Sequence, residues 1–259
     1  MTPVEPVRAV IFDMDGLLVD TAPVWRQVGN SAFAALGVDV APFVETGAVM
    51  GLSMEDAMAA FRTYAGWAPT DHPELEAGIE AGVLAAIRAQ LELKPGACEA
   101  LDFCDEHGLR TAVASGSTTA IIEAVLARVG LRARFTAVCS SSDEPLGKPH
   151  PGVFLRAAAE LGVPARQCVV VEDAVAGCIA AKAACMRVVA VPEGPAVGDP
   201  RLAIADAVLA TLAELAGPAA RAMLGLCGEV GLGVGGAGDV VGGAGGGRAS
   251  PVRSPAAAP

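Results

Sequence analysis

Five short apolar runs punctuate the chain: Ala9–Phe12, Thr111–Ala114, Ala137–Cys139, Cys168–Val171 and Val188–Val191. They are rich in β-branched residues and lack polar alternation, the mark of strands buried on both faces of a parallel sheet. Between and after them, apolar residues recur at helical spacing over about 96–107, 117–129, 151–161 and 174–184. Strands alternating with helices predict an α/β fold, a doubly wound parallel sheet of the Rossmann type. In such sheets ligands bind at the carboxyl ends of the strands.

Residues 22–91 break the alternation. Pro23–Leu36, Ser53–Tyr64 and Pro73–Leu91 read as helices, with no buried strand among them. This predicts a small α-helical cap domain, 22–91, inserted after the first strand, with Pro95-Gly96 marking the return. The core is then 1–21 and 92–217. Residues 218–259 turn rich in Gly, Ala and Pro, too poor in large apolar groups to offset ordering entropy, and are expected to form a disordered tail.

Composition narrows the partners. Apolar residues reach 53% but aromatics only 4%, so the core must be mainly aliphatic. A formal net charge of −11 repels nucleic acid and anionic membranes. A small phosphorylated metabolite remains possible, because local donors and a metal override the global sign. The seven cysteines are odd in number and form no C-x-x-C pair, which predicts reduced thiols in a cytoplasmic setting. No secretory signal and no transmembrane run of about 18 apolar residues is visible. A monomer is the expectation.

Four elements at the predicted strand ends carry chemistry. In Phe12-Asp13-Met14-Asp15-Gly16, two carboxylates leave a strand together and Gly16 permits a sharp turn beside a ligand. That pair suits phosphoryl transfer, with Asp13 attacking phosphorus and Asp15 protonating the leaving alcohol, then deprotonating water. The blander reading is a helix-capping turn. Ser115-Gly116-Ser117 offers a hydroxyl and a small-residue turn to a phosphoryl oxygen, or a plain N-cap. Lys148, in Gly147–Pro151, is a mobile charge that could balance aspartate and phosphate, or a solvated side chain. His150 reads as a loop or cap residue. Glu172-Asp173 ends an apolar strand, where adjacent acids need a cation or water. Their oxygens suit Mg2+, with Asp13 and the backbone carbonyl of residue 15 completing a site. Asp173 could equally cap the following helix.

In this order the four elements resemble the motifs of the haloacid dehalogenase superfamily, in the branch whose cap follows the first motif. The resemblance spans Val7 to about Leu215. It implies Asp13 as nucleophile and Asp15 as acid/base. It implies that Ser115, Gly116 and Lys148 bind the phosphoryl group, and that Asp13, Asp15 and Asp173 hold Mg2+ with Glu172 beside them. The second aspartate argues against dehalogenation, and the absence of Lys from 22–91 argues against a phosphonatase. β-Phosphoglucomutases are nearer, but carry a His and an Arg where Trp25 and Met54 stand. A narrower similarity, to the 2-deoxyglucose-6-phosphatase or hexitol phosphatase branch, rests on Asp20–Trp25, Gly147–Pro151, Ala180–Met186, Val191-Pro192, Asp199–Arg201 and Ala205-Asp206. It implies sugar or polyol monophosphates as substrates, with Thr21, Trp25 and Met54 facing them. Three functions stay open: a phosphatase, a β-phosphoglucomutase-like phosphotransferase in which Arg26 or Arg62 grips a second phosphate, and a non-catalytic binding protein on the same scaffold.

Overall fold

The computed structural model describes residues 5–89, 91–218, 221 and 224. Six parallel strands form one sheet in the order β3-β2-β1-β4-β5-β6. They are β1 (Ala9–Phe12), β2 (Arg110–Ser115), β3 (Ala137–Ser140), β4 (Cys168–Glu172), β5 (Arg187–Ala190) and β6 (Ala207–Val208). β1 lies at the centre, paired with β2 on one side and β4 on the other. The order reverses direction there, so the carboxyl ends of β2, β1 and β4 converge on one crevice.

Each central strand is buried on both faces, as its unbroken apolar run requires. Val10 and Phe12 of β1, Val113 of β2 and Val169 and Val171 of β4 join one core cluster. Ala9, Ile11, Ala112, Ala114 and Val170 join the other. The first face is covered by α5 (Ala97–Glu106) and α6 (Thr119–Arg128), the second by α7 (Gly152–Leu161) and α8 (Val175–Ala183).

Residues 22–89 carry four helices joined by turns and loops, α1 (Ala22–Ala34), α2 (Ala41–Glu45), α3 (Met54–Ala65) and α4 (Leu75–Ala89). Phe33, Met58, Ile79, Val83 and Ile87 are buried in a cluster continuous with the first face of the sheet. Its entry and exit run side by side. Asp20 N–H donates to Glu92 O (3.0 Å) and Lys94 N–H to Leu18 O (2.9 Å), around an antiparallel bridge between Val19 and Leu93.

Two elements escape the sequence reading. α2 has five residues, too few for a helical period to emerge, and β6 has two, held as an edge by its pairing with β5. Nearly all of the expected tail, 218–259, lies outside the described residues. At its start packing continues: Arg221 N–H donates to Gly217 O (3.0 Å) and Leu224 is buried in the first cluster. None of the described helices is long and apolar enough to cross a membrane.

Candidate active site

β1 delivers Asp13 into the crevice. Its N–H still donates to Val171 O at 2.9 Å, so the ladder with β4 extends one residue past the strand. The chain then turns tightly on Met14 O, which accepts from the N–H of Leu17, Leu18 and Val19, while Met14, Leu17 and Leu18 anchor the turn in the core. Gly16 takes φ +80°, and a β-carbon there would sit 2.5 Å from Asp173 Oδ2. A residue other than glycine would meet both a backbone penalty and a steric one.

The Lys148 side chain is fully buried among partners. Its Nζ donates to Asp13 Oδ1 (2.7 Å), Glu172 Oε1 (2.6 Å) and Ala114 O (3.0 Å). The Phe154 ring of α7 lies 5.0 Å from the same nitrogen. The expected mobile or solvated charge is thus corrected: burial without these acceptors would be prohibitive, so the ammonium is fixed. Glu172 also accepts from Ala174 N–H (3.0 Å). Asp173 does not cap α8. Ala174 occupies the N-cap position, without a side-chain cap bond. His150 Nδ1 does act locally, accepting from Gly152 N–H at 3.2 Å at the start of α7.

Asp13, Glu172 and Asp173 each offer an oxygen within 4.8 Å of the others, and all three are buried. Burial raises the Asp13 carboxyl to about 8; Glu172 and Asp15 add to this while the Lys148 ammonium opposes it. Asp173 is raised well above the usual carboxylate range, chiefly by burial and then by Asp13. Lys148 is held charged by Asp13 and Glu172 against the contrary effect of burial. Once ionised, three buried carboxylates facing one ammonium would leave an excess of negative charge, and no hydrogen bond reaches the Asp173 carboxyl group among the described residues. Hard oxygen donors with that excess fit a divalent cation such as Mg2+.

Asp15 is separate from this group. Its Oδ1 accepts from Thr21 Oγ1 (2.7 Å) and Trp25 Nε1 (3.2 Å), its Oδ2 from Ser115 Oγ (2.9 Å) and Ser117 Oγ (2.8 Å). Both oxygens are engaged by these four donors. Thr21 occupies the N-cap of α1 but makes no cap bond; its hydroxyl serves Asp15 instead. Ser115 is not a plain N-cap, since Thr118 caps α6 through Ile121 N–H (3.4 Å). Ser117 went unassigned in the sequence reading. The Ser-x-Ser spacing was its signal, since Ser115 Oγ accepts from Ser117 N–H (3.0 Å) and turns the second hydroxyl inward.

Above these groups lies a cavity of about 470 Å3. Asp13, Asp15, Gly116, Ser117 and Asp173 form its floor, and α1 to α3 its walls. Trp25 and Met54 both line it. Arg26 is the only basic side chain lining it among the described residues. Arg62 lies elsewhere, its Nε donating to Asp71 O (3.3 Å). The cap presses onto the floor. A β-carbon on Gly116 would overlap Leu52 O, and one on Gly51, at φ +73°, would come 2.9 Å from Ala174 Cβ. Thr118 Oγ1 of the core donates to Glu80 Oε1 of α4.

The sequence profile of a hydrolase family, the haloacid dehalogenase-like hydrolases, matches residues 7–184. Hexitol phosphatase B of Escherichia coli (strain K12) is 38% identical over 209 residues, covering 81% of this chain and 94% of that protein. Protein CbbY of Rhodobacter capsulatus is 33% identical over 201 residues, 74% of this chain and 88% of its own. The crystal structure of CbbY from Rhodobacter sphaeroides in complex with phosphate matches with a TM-score of 0.72 at 27% identity, over 81% of this chain and 96% of that one. β-Phosphoglucomutase from Clostridium difficile shares the fold, with a TM-score of 0.74 at 21% identity over 85% and 98% of the two chains.

Proposed function

The chain belongs to the haloacid dehalogenase-like hydrolase family, and within it we propose a Mg2+-dependent phosphatase of sugar or sugar-alcohol monophosphates working through an aspartyl-phosphate. The observation that carries this reading is the pairing at the end of β1. Asp13 is clasped by Lys148 beside two further buried carboxylates, while Asp15, two residues on, is held separately by four donors.

Asp13 attacks phosphorus and forms a new oxygen–phosphorus bond as the bond to the substrate oxygen breaks. Asp15 gives its proton to that leaving oxygen. In the second half Asp15 takes a proton from water, whose oxygen bonds to phosphorus. The aspartyl ester bond breaks, freeing phosphate and restoring the Asp13 carboxylate. The Gly116 N–H, and the Ser115 hydroxyl once it turns from Asp15, are the donors for phosphoryl oxygens, while Lys148, its three protons already taken, contributes its charge. Asp13 and Asp173, with Glu172 beside them and the backbone carbonyl of Asp15, are the groups to hold Mg2+. When bound, that ion supplies charge neutralisation at the transferring phosphoryl group.

Hydrolysis is favoured over transfer between two sites on a sugar, because a bisphosphate intermediate needs a cationic grip at both ends. Among the described residues Arg26 alone supplies positive charge in the cap wall, and Trp25 and Met54 supply none. Similarity to hexitol phosphatase B supports the polyol class.

The test is release of phosphate from hexitol phosphates and from p-nitrophenyl phosphate with Mg2+. Asp13→Asn is expected to lower turnover at least about 1,000-fold, and EDTA to stop the wild-type reaction until Mg2+ is restored. Wild-type-like turnover by Asp13→Asn removes the nucleophile, and metal-independent turnover removes the role of Asp173.

A further inference from the structure

A further carboxylate stands beside the three buried ones at the strand ends. Glu193 lies three residues past β5 and lines the cavity from the core side, in a loop that runs on to Gly194 and Pro195. Val191 N–H donates to Glu172 O at 2.7 Å, so the loop leaves in step with the end of β4, where Glu172 and Asp173 lie. Gly16 marks the place. The point where a β-carbon of Gly16 would sit is 2.5 Å from Asp173 Oδ2 and 3.8 Å from Glu193 Oε2. The two side chains therefore flank one small gap above the glycine of the Asp13–Gly16 turn.

The two oxygens of Glu193 are used differently. Lys94 Nζ donates to Oε1. Oε2, the oxygen nearer Asp173, has no hydrogen-bond donor among the described residues. Lys94 is itself fixed at the seam where the cap segment returns to the core. Its N–H donates to Leu18 O (2.9 Å) and its carbonyl accepts from Ala97 N–H (3.1 Å). An ammonium so anchored holds a partly exposed glutamate in one rotamer, at a cost in side-chain entropy. A part-exposed ion pair returns little stability for that cost, so stability is a weak account of it. Two acids that flank one gap with no donor between them repel once ionised, unless something positive or proton-donating lies there. Mg2+ bound to Asp13 and Asp173 supplies such donors, because it retains several waters. A water on a cation donates and does not accept, and a carboxylate just outside the ligands is the partner it takes.

We infer that Glu193 is a positioning residue for the divalent cation, an acceptor for its waters at the Asp173 edge of the site, held in place by Lys94. The inference rests on the Mg2+ assignment in the proposed function and deepens it. It also ties the cation site to the linker through which the cap rejoins the core.

The experiment is calorimetric titration of Mg2+ into the metal-free full chain at one pH. Glu193→Gln is nearly isosteric, but its amide gives its one oxygen to Lys94 and turns an NH2, a donor, toward the site. It is expected to weaken Mg2+ binding about tenfold or more, as loss of an outer partner of a metal site does. Glu193→Asp, which keeps the charge on a shorter stem, is expected to recover part of the affinity. Glu45→Gln removes the same charge from the exposed rim of the same cavity. It is expected to shift the affinity less than about twofold, because distant exposed charges are screened. The metal-free variants are expected to melt with the wild type. Unchanged Mg2+ affinity in Glu193→Gln overturns the inference. So does an equal loss in Glu45→Gln, which makes the effect one of general charge, and so does a lowered melting temperature in metal-free Glu193→Gln, which makes the pair structural. Each of these leaves the phosphatase reading standing. A wild type that binds no Mg2+ overturns the metal assignment and the inference with it.

Discussion

At the scale of single residues, Asp15 shows how one carboxylate links two parts of the chain. Its Oδ2 rests on two serines of the β2–α6 turn, its Oδ1 on Thr21 and the Trp25 indole at the start of the cap. An indole N–H donates and never accepts, so Trp25 can aim Asp15 but cannot relay its proton. Trp25→Phe keeps the ring and removes the donor. It is expected to lower kcat/KM about tenfold for an alkyl phosphate, whose leaving oxygen needs the proton. For p-nitrophenyl phosphate, which leaves without one, the loss is expected to stay under about threefold. Equal losses on the two esters exclude an aiming role. Asp13 supports a second expectation. In the metal-free protein burial lifts its carboxyl to about 8, and Asp173 is raised too. A cation binds these groups ionised, so at pH 7 it must displace protons. Apparent Mg2+ affinity should rise with pH up to about 8, by about tenfold per pH unit for each proton released. Calorimetry in two buffers of different ionisation enthalpy counts those protons, and a pH-independent affinity contradicts the assignment. The sequence made Asp13, Asp15 and Glu172-Asp173 visible because acids that end apolar strands are costly without a purpose. It did not reveal the complete burial of Lys148. A lysine before proline reads alike whether solvated or enclosed, and the acceptors that enclose it come from positions 13, 114 and 172.

Among elements, those visible in advance were those with a period or a run. β1, β2 and β4 appeared as unbroken apolar stretches because both faces are buried, and the helices that cover the sheet kept their 3.6-residue rhythm. α2 and β6 are defined by their neighbours rather than by their own residues, and so stayed hidden. The cap-to-floor contact was hidden for the same reason. Gly116 reads as part of a small-residue turn, yet its missing side chain is what admits Leu52 O from the cap. Gly116→Ala is therefore expected to prop the cap away from the floor. Turnover should fall about 100-fold, the cost of a misplacement of about 1 Å. The melting temperature should stay near that of the wild type, because the turn lies outside both core clusters. Unchanged turnover means the cap need not seat as closely as it does here.

For the whole molecule, the charge of −11 acts against an anionic substrate at a distance. Raising ionic strength from about 0.01 to 0.15 M shortens the screening length from about 30 to 8 Å. At saturating Mg2+, kcat/KM for a phosphate ester is expected to rise about two- to threefold over that range. A fall instead locates a dominant positive field at the cavity mouth. The division of labour was readable in outline: a sheet whose strand ends carry acids, and a helical insertion that roofs them. The residues that choose among substrates were not, since the cap wall assembles from α1, α2 and α3, each of which carries only fragments of it. The paired linkers at Asp20–Glu92 and Leu18–Lys94 bear on that choice. Because entry and exit are stitched to each other, the intervening residues 22–91 leave and rejoin the core at one point. A change in the length of that segment is therefore not expected to shift the register of the strands below. Variation in the cap wall can then alter what the cavity admits while the acids at the strand ends keep their places.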